Sequence, residues 1–276
     1  MAASALNKYF GSCFSFSQHS EKLKNNKVQD CFSEEEYKKA LFSLNPNSAP
    51  GPDDIPMFFW IKTYKAISRF ILKLFNTFLE ETYAPPIWKI AKIFPLYKNN
   101  GKIHNVESYR PISLTCSLSK IFEKMILNRM TEQISNEDIL FSNQHGFRNK
   151  FSTVSNLLET YNYVAKCLDK SLCVDVIYLD FQKAFDKLPH SLLINKLHFY
   201  KFHCNIINWI AEFLSNRSQF VVVNGFSSEI LPVSSGVPQG TIQAPTLFVL
   251  FLNDMFTLPI SAELSAYDDD VKLYGV

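Results

Sequence analysis

The chain shows two kinds of hydrophobic spacing, which alternate irregularly along its length. Apolar side chains recur every three or four residues over 57–82 and 117–130, and this spacing predicts two amphipathic helices. Residues 173–179 and 219–223 are rich in β-branched and aromatic side chains, which predicts two strands, the first of them buried. An irregular order of strands and helices favours the α+β class over a doubly wound parallel sheet.

Signals at the ends of segments locate further boundaries. A capping box at residues 33–36 predicts the start of a helix, and the Asn-Gly pair at 224–225 predicts a two-residue hairpin. Residues 190–214 carry apolar faces at helical spacing and are predicted to be helical throughout. Residues 1–30 are polar without sustained periodicity, so we predict an N-terminal arm there and a folded region over 31–276.

Composition narrows the class of protein. With 276 residues and 47% hydrophobic side chains, the chain is long enough to bury a core. The net charge of +2 is small, so any affinity for nucleic acid must come from local basic patches. The six cysteines lack metal-ligand spacing, which predicts reduced thiols. Neither a signal peptide nor an apolar run of about 18 residues occurs, and we expect an intracellular protein of the nucleus or cytoplasm, neither secreted nor membrane-bound.

Three consecutive carboxylates, Asp268 to Asp270, lie between two short strand-like segments. This pattern predicts an acidic hairpin tip, which is unfavourable unless cations neutralise it. Asp180 ends the predicted strand upstream, and if the two strands are sheet neighbours these carboxylates meet. Hard oxygen ligands of this kind suit two Mg²⁺ or Mn²⁺ ions about 4 Å apart, which assist in-line phosphoryl transfer. The alternatives are a solvated acidic turn and, for Asp180, a side chain that caps the next turn.

Residues 88–102 contain four lysines and no acidic residue. Lys89 and Lys92 alternate with apolar positions, which predicts a strand with a basic face. Such a face suits phosphate binding. The alternative is a solvated edge strand whose lysines discourage aggregation.

Six short motifs occur in order along the chain, and none of them is specific alone. They are Ala49–Asp53, Tyr109–Leu114, Gln144–Arg148, Leu179–Lys187, Gly236–Gly240 and Tyr267–Asp270. In this order and spacing the chain resembles the reverse transcriptase domain of non-LTR retrotransposons of the LINE type, most closely the jockey-like elements. The resemblance covers roughly residues 35–276.

The resemblance implies a right-hand polymerase, with fingers at about residues 45–170 and a palm at about residues 171–276. It implies that the chain is truncated after the catalytic hairpin and that the thumb is absent. The implied activity is RNA-directed DNA polymerisation, with an RNA template, a DNA primer, dNTPs and two Mg²⁺ or Mn²⁺ ions. An endonuclease is expected to be separate or missing.

The resemblance also assigns roles to single residues. Asp180, Asp269 and Asp270 are the expected catalytic residues and metal ligands, with Asp270 in support, and Phe181 offers its backbone carbonyl to a metal. Phe185 is the expected aromatic gate that excludes a ribose 2′-hydroxyl. The remaining expectations are nucleotide contacts at Gln239, Gly240 and Arg110, and template contacts at Arg148, Gly236, Pro238, Lys92 and Lys98.

Position 268 departs from the family pattern, in which this residue is usually small or apolar. Asp268 is expected to shift the metals or repel the triphosphate. An alternative function is therefore an inactive, truncated remnant that binds nucleic acid without catalysis. An RNA-dependent RNA polymerase is disfavoured, because Phe185 occupies the position where such an enzyme needs room for the 2′-hydroxyl.

Overall fold

Helices and strands alternate irregularly in the computed structural model, which describes residues 1–15, 31–148 and 150–276. This mixture confirms the predicted α+β class. The helices are α1 (Ala2–Gly11), α2 (Glu34–Ser43), α3 (Met57–Glu80), α4 (Ser117–Asn136), α5 (Thr153–Leu168), α6 (Ala184–Lys187), α7 (His190–Phe199), α8 (Cys204–Leu214) and α9 (Ala244–Leu252). The strands are β1 (Ile90–Tyr97), β2 (Tyr109–Leu114), β3 (Asp175–Asp180), β4 (Arg217–Val223), β5 (Phe226–Ser227), β6 (Leu231–Val233), β7 (Glu263–Tyr267) and β8 (Asp270–Gly275).

The chain divides into two compact units. Unit 1 contains residues 1–133 and 185–244, and unit 2 contains residues 134–184 and 245–276. Residues 134–170, predicted as part of the fingers, therefore belong to the same compact unit as the acidic hairpin. The assignment of fingers and palm itself stays a prediction.

Unit 1 is built on a sheet in the order β2-β1-β4-β5, with β6 also paired to β4. β1 is antiparallel to β2 and parallel to β4. β1 lies between β2 and β4, so the alternative of a solvated edge strand is wrong where Lys92 lies, while residues 94–97 pair with β2 alone. Lys89 is buried just before β1, and its ammonium contacts the carboxylate of Glu212 at 2.6 Å.

An aromatic core lies among the helices of unit 1. The rings of Phe122 and Trp209 have centroids 4.7 Å apart, and Phe75 meets Phe122 edge to face at 5.0 Å. All three side chains are fully buried. Burial of aromatic side chains of this size contributes about 1.5–3 kcal/mol each, so this cluster is a main source of the stability of unit 1.

The N-terminal residues do not all form an arm. α1 places Leu6 and Phe10 against Ile93 and Val221 of the sheet. The predicted arm is therefore wrong over residues 2–11, while residues 16–30 lie outside the described part of the chain. The apolar positions of α1 are spaced for a helix. Their burial against the sheet stabilises α1, which is too short to be helical alone.

The predicted helix at residues 190–214 is two helices, α7 and α8. Lys201, between them, has a φ of 57°. No glycine or proline marks this break in the sequence, so the hydrophobic spacing alone could not locate it. By contrast, Asn224 and Gly225 both have positive φ and join β4 to β5, which confirms the predicted hairpin.

Unit 2 contains an antiparallel sheet in the order β3-β8-β7, with α5 packed on β7. Leu264, Ala266 and Val271 form its buried apolar cluster. β3 lies at the end of the sheet and is exposed along its whole length, with Tyr178 74% exposed. The prediction of a buried strand there was therefore wrong. In the described ranges, no helix is both long and apolar enough to cross a membrane.

Candidate metal and nucleotide site

The three consecutive carboxylates lie at a hairpin, as the sequence predicted. Tyr267 at the end of β7 pairs with Asp270 at the start of β8, which leaves Asp268 and Asp269 as the turn. Asp268 has a φ of 58°, in the left-handed region that aspartate tolerates better than most residues. The local sequence is therefore compatible with a tight two-residue turn.

The β3–β8 ladder brings an upstream carboxylate to this hairpin. Asp180 is the register partner of Asp270, and both residues are exposed. Directly opposed residues of an antiparallel pair share one face of the sheet, with Cβ atoms about 4.5–5.5 Å apart. Two carboxylates in this arrangement repel one another unless a cation lies between or beside them. The condition that the sequence left open, adjacency of the two strands, is thus met.

The donors at this site are carboxylate oxygens, which suit a hard divalent cation. Asp269 lies in the turn, directly before Asp270. Phe181 comes directly after Asp180, and its side chain is exposed. Among the residues that the structure describes, no group of three or more His, Cys, Asp or Glu is arranged to hold a metal ion. The register of β3 and β8 brings Asp180 and Asp270 together, and the predicted ligand set of Asp180, Asp269 and Asp270 stays a prediction.

Asp268 is unlike its neighbours because it is turned into the protein. Its Oδ1 is buried, with no hydrogen-bond partner among the described residues. Burial, together with the charges of Asp269 and Asp270, raises the pKa of Asp268 to about 6. A Cβ added at Gly146 would lie 2.0 Å from this Oδ1 and 2.3 Å from the amide nitrogen of Asp268. Glycine at position 146 is therefore what lets the loop approach the turn.

Arg148 lies on the same loop as Gly146 and makes contacts within unit 2. Its Nη1 donates hydrogen bonds to the carbonyls of Phe141 and Gln144, the second at 3.2 Å, and its guanidinium stacks 4.3 Å from the Phe151 ring centroid. Burial lowers the pKa of Arg148. These contacts give the side chain a structural role, and its predicted template contact stays a prediction.

In unit 1, the structure brings several predicted nucleotide and template residues together. The loop at 236–240 packs on Phe185, whose carbonyl accepts the Val237 N–H at 2.8 Å. Gly236 has a φ of 81°, and a Cβ there would lie 2.4 Å from the Phe185 carbonyl oxygen. The side-chain amide of Gln239 donates a hydrogen bond to the Asp186 carboxylate at 3.0 Å. The backbone carbonyl of Gln239 accepts the Ser113 N–H at 2.7 Å.

The same loop approaches the exposed side of β2. Gly240 has a φ of 101°, and a Cβ there would lie 3.4 Å from the side chain of Ile112. Arg110 is two residues away on the same face of the strand and is exposed. Pro238 accepts hydrogen bonds from Thr241 through its carbonyl, the shorter at 2.9 Å. Phe185, Gly236 and Gln239 are therefore grouped around one loop in unit 1, and Gly240 lies against β2, the strand that carries Arg110.

The two predicted template lysines have partners within unit 1. The ammonium of Lys92 lies 3.2 Å from Asp54, a largely exposed carboxylate. Lys98 donates to the Glu107 carbonyl at 2.9 Å. Both contacts lie at the surface, where an ion pair such as Lys92–Asp54, or a hydrogen bond such as that of Lys98, contributes only about 1 kcal/mol. Exchange of these partners for a phosphate is therefore energetically accessible.

Sequence reasoning missed a buried carboxylate in unit 1. Glu123 on α4 is fully buried, and burial raises its pKa to about 7. It accepts hydrogen bonds from the Ser119 hydroxyl at 3.0 Å and from the Ile242 N–H at 3.2 Å, just before α9. In the sequence, Glu123 lies beside apolar positions of the helix, and this pattern did not indicate that its carboxylate would be buried and hydrogen-bonded.

Comparison with known proteins supplies independent evidence on the family. A family model described as "Reverse transcriptase (RNA-dependent DNA polymerase)" matches residues 97–275. The "RNA-directed DNA polymerase from mobile element jockey" of Drosophila melanogaster is 32% identical over 245 residues, which cover 87% of this chain and 26% of that protein. The "Probable RNA-directed DNA polymerase from transposon BS" of the same species is 32% identical over 250 residues, covering 87% of this chain and 27% of its own length. The chain thus spans about a quarter of the length of these relatives.

Proposed function

Because this chain belongs to the reverse transcriptase (RNA-dependent DNA polymerase) family, we propose that it forms the fingers and palm of an RNA-directed DNA polymerase from a jockey-like non-LTR retrotransposon. It would extend a DNA primer on an RNA template by transfer of nucleotides from dNTPs. The observation that carries this proposal is the pairing of Asp180 with Asp270 beside the acidic turn.

Asp180, Asp269 and Asp270 are the proposed ligands of two Mg²⁺ or Mn²⁺ ions, with the Phe181 carbonyl as a further ligand. When bound, such ions neutralise the triphosphate and lower the pKa of the attacking 3′-hydroxyl. The exposure of Asp180 and Asp270 supports this role, since phosphate oxygens must reach the same ions. The protein itself positions the reactants, which is most of what phosphoryl transfer requires.

The nucleotide is proposed to bind in unit 1, next to the loop at 236–240. Phe185 would exclude a ribose 2′-hydroxyl by the size of its side chain. Its backbone carbonyl accepts a hydrogen bond from the Val237 N–H, which supports a fixed position for Phe185. Arg110 would contact the triphosphate, since guanidinium groups bind phosphate through paired hydrogen bonds. Gln239 and Gly240 complete the proposed pocket.

Template binding is proposed for Lys92, Lys98, Arg148, Gly236 and Pro238. These contacts go mainly to phosphates, so the affinity for RNA should fall steeply with salt concentration. For Gly236 the structure already provides a reason for glycine, because any side chain would meet the Phe185 carbonyl. A role toward the template would come in addition to that packing.

Primer extension tests the proposal. The purified chain, given an RNA template, a DNA primer, dNTPs and Mg²⁺ or Mn²⁺, should extend the primer, and Asp180→Asn should abolish extension. Asp175→Asn is the matched control, because Asp175 is an exposed carboxylate at the other end of the same strand. Extension that survives Asp180→Asn would contradict the proposed ligand set.

A second candidate function is a nucleic-acid-binding remnant without catalysis. Asp268 next to Asp269 and Asp270 favours it, because a third negative charge there opposes binding of a triphosphate and its buried Oδ1 has no partner among the described residues. Salt-sensitive RNA binding with no extension by the wild type or by Asp268→Ala would support the remnant. Extension only by Asp268→Ala would identify the extra carboxylate as the inactivating feature.

A further inference from the structure

The loop that precedes α5, at residues 143–148, contacts the acidic hairpin of β7 and β8. The Ala266 N–H donates to the Asn143 carbonyl at 2.9 Å, and the His145 N–H donates to the Ala266 carbonyl at 2.8 Å. The Asn143 side chain adds a hydrogen bond to the Leu264 carbonyl at 2.9 Å. β7 is therefore hydrogen-bonded along both edges, to β8 on one side and to residues 143–145 on the other.

The same loop reaches the turn itself. Gly146 lies against the amide and side chain of Asp268, one residue before Asp269. The Gln144 side chain donates to the Asp268 carbonyl at 3.5 Å and accepts the Gly146 N–H at 2.8 Å. The backbone of the acidic turn is thus held by direct contact.

His145 attaches this loop to α5. Its side chain is 5% exposed, with Nδ1 2.8 Å from the Ser155 hydroxyl and Nε2 2.6 Å from the Glu159 carboxylate. Ser155 and Glu159 are four residues apart and share one face of the helix. Both ring nitrogens are therefore occupied by the same rigid element.

Asn156 attaches α5 to both strands of the hairpin. Its amide nitrogen donates to the Ser265 hydroxyl at 2.6 Å and to the Ala266 carbonyl at 3.3 Å. Its carbonyl oxygen accepts a hydrogen bond from the Lys272 ammonium at 2.5 Å. Ser265 and Lys272 are register partners across β7 and β8, so one buried side chain spans the hairpin two rungs from the turn.

We propose that His145 and Asn156 are positioning residues that hold the acidic turn in the geometry required for cation binding. This inference rests on the proposed function, because it assumes that Asp180, Asp269 and Asp270 bind the ions. A two-residue turn with adjacent negative charges is pushed open by their repulsion. The contacts of His145 and Asn156 to α5, β7 and β8 oppose that opening, as outer-shell partners do at metal sites.

Mn²⁺ binding, followed by electron paramagnetic resonance of the free ion, tests the proposal without catalysis. His145→Ala and Asn156→Ala should weaken the affinity about tenfold or more, the usual effect of removing an outer-shell partner. His145→Gln, which keeps a donor and an acceptor, should restore part of the loss. His104→Gln and Asn195→Ala, at exposed positions of unit 1, should bind Mn²⁺ as the wild type does.

A purely structural role predicts a different result. Folded His145 and Asn156 variants, judged by thermal melting, would then bind Mn²⁺ with wild-type affinity, and this outcome would overturn the proposal. If Asn156→Ala unfolds at the assay temperature, Ser265→Ala replaces it, because it removes only the hydroxyl that Asn156 contacts. Ser265→Ala removes one of the three Asn156 contacts, so a smaller loss is expected, and wild-type affinity in both this variant and folded His145→Ala would overturn the proposal.

Failure of the proposed function would look different again. Asp269→Asn should abolish tight Mn²⁺ binding if the acidic turn is the cation site. Equal binding by the wild type and Asp269→Asn would remove the cation site, and the proposed function with it. Binding that depends on Asp269 but not on His145 or Asn156 would leave the function intact and overturn only the positioning role.

Discussion

Asp268 is the residue whose environment departs most from that of its neighbours. Its side chain is half-buried, and its buried Oδ1 has no hydrogen-bond partner in the described part of the chain, while Asp270 is exposed to solvent. An acid whose folded-state pKa is raised binds its proton more tightly in the folded state. Asp268 therefore costs the protein stability once the pH exceeds the ordinary pKa of aspartate.

Asp268→Asn should raise the melting temperature at neutral pH in metal-free buffer. The folded-state pKa of about 6 lies above the ordinary value of 3.8, so the wild type loses stability as the pH rises between these values. The advantage of the variant should vanish below about pH 4, where the wild-type carboxyl is protonated. Asparagine also keeps the tolerance for positive φ. A pH series of thermal melts measures the difference, and a pH-independent gain would contradict this account.

Gly146→Ala should destabilise the hairpin, because the new methyl group would meet the backbone nitrogen of Asp268 at 2.3 Å. Overpacking against backbone costs about 1–3 kcal/mol. The matched control is Gly11→Ala in α1, where the nearest atom to an added Cβ is a leucine methyl at 3.7 Å. Denaturant unfolding compares the two variants. Equal stability would show that the loop is free to move away from the turn.

At the scale of elements, Glu123 links α4 to the segment before α9. Glu123→Gln should be more stable than the wild type at high pH and lose that advantage at low pH. Burial raises the Glu123 pKa from 4.5 to about 7, so the wild type loses stability as the pH rises through this range. The charge of the buried Arg217 opposes this shift, and the effect of burial outweighs it. Thermal melts against pH measure the difference in stability.

Glu132→Gln is the control for that series, since Glu132 is an exposed residue of the same helix. Its melting temperature should follow that of the wild type at every pH. If Glu123→Gln also follows the wild type, Glu123 titrates normally, and its side chain must then be accessible to water.

The elements with strong periodicity were predictable, and those set by tertiary contacts were not. α3 and α4 follow from apolar spacing, and the β4–β5 hairpin follows from Asn224 and Gly225. The break between α7 and α8 depends on a positive φ at Lys201, for which the sequence has no marker. α1 is stabilised by packing on strands that lie much later in the sequence, so its local composition wrongly predicted an arm without a helix.

The candidate site was likewise predictable from the sequence only in part. The meeting of Asp180 with Asp270 was predicted on the condition that their strands are neighbours, and the β3–β8 register meets that condition. The roles of His145 and Asn156 depend on how α5 packs against β7, which hydrophobic spacing does not specify. Motif order identified the loop at 144–148 without showing what it contacts.

At the scale of the molecule, the proposed nucleotide contacts and the proposed cation ligands lie in different compact units. Arg110→Ala in unit 1 should therefore raise the KM for dNTP while Mn²⁺ affinity stays unchanged. An exposed arginine on α3, Arg69, provides the control substitution Arg69→Ala. Steady-state extension and Mn²⁺ titration measure the two effects. A parallel loss of both in Arg110→Ala would show that the two functions are not separable.

If the opposed pair Asp180 and Asp270 binds the proposed ion, that ion becomes part of the folding equilibrium. The unfolded chain lacks this pairing, so Mn²⁺ would bind the native state preferentially and stabilise it by mass action. At an ion concentration 100 times the dissociation constant the gain is about 2.7 kcal/mol. Chelation should accordingly lower the melting temperature of the wild type and leave that of Asp180→Asn unchanged. The concentration of the ion would then set the fraction of the protein that is folded at a given temperature.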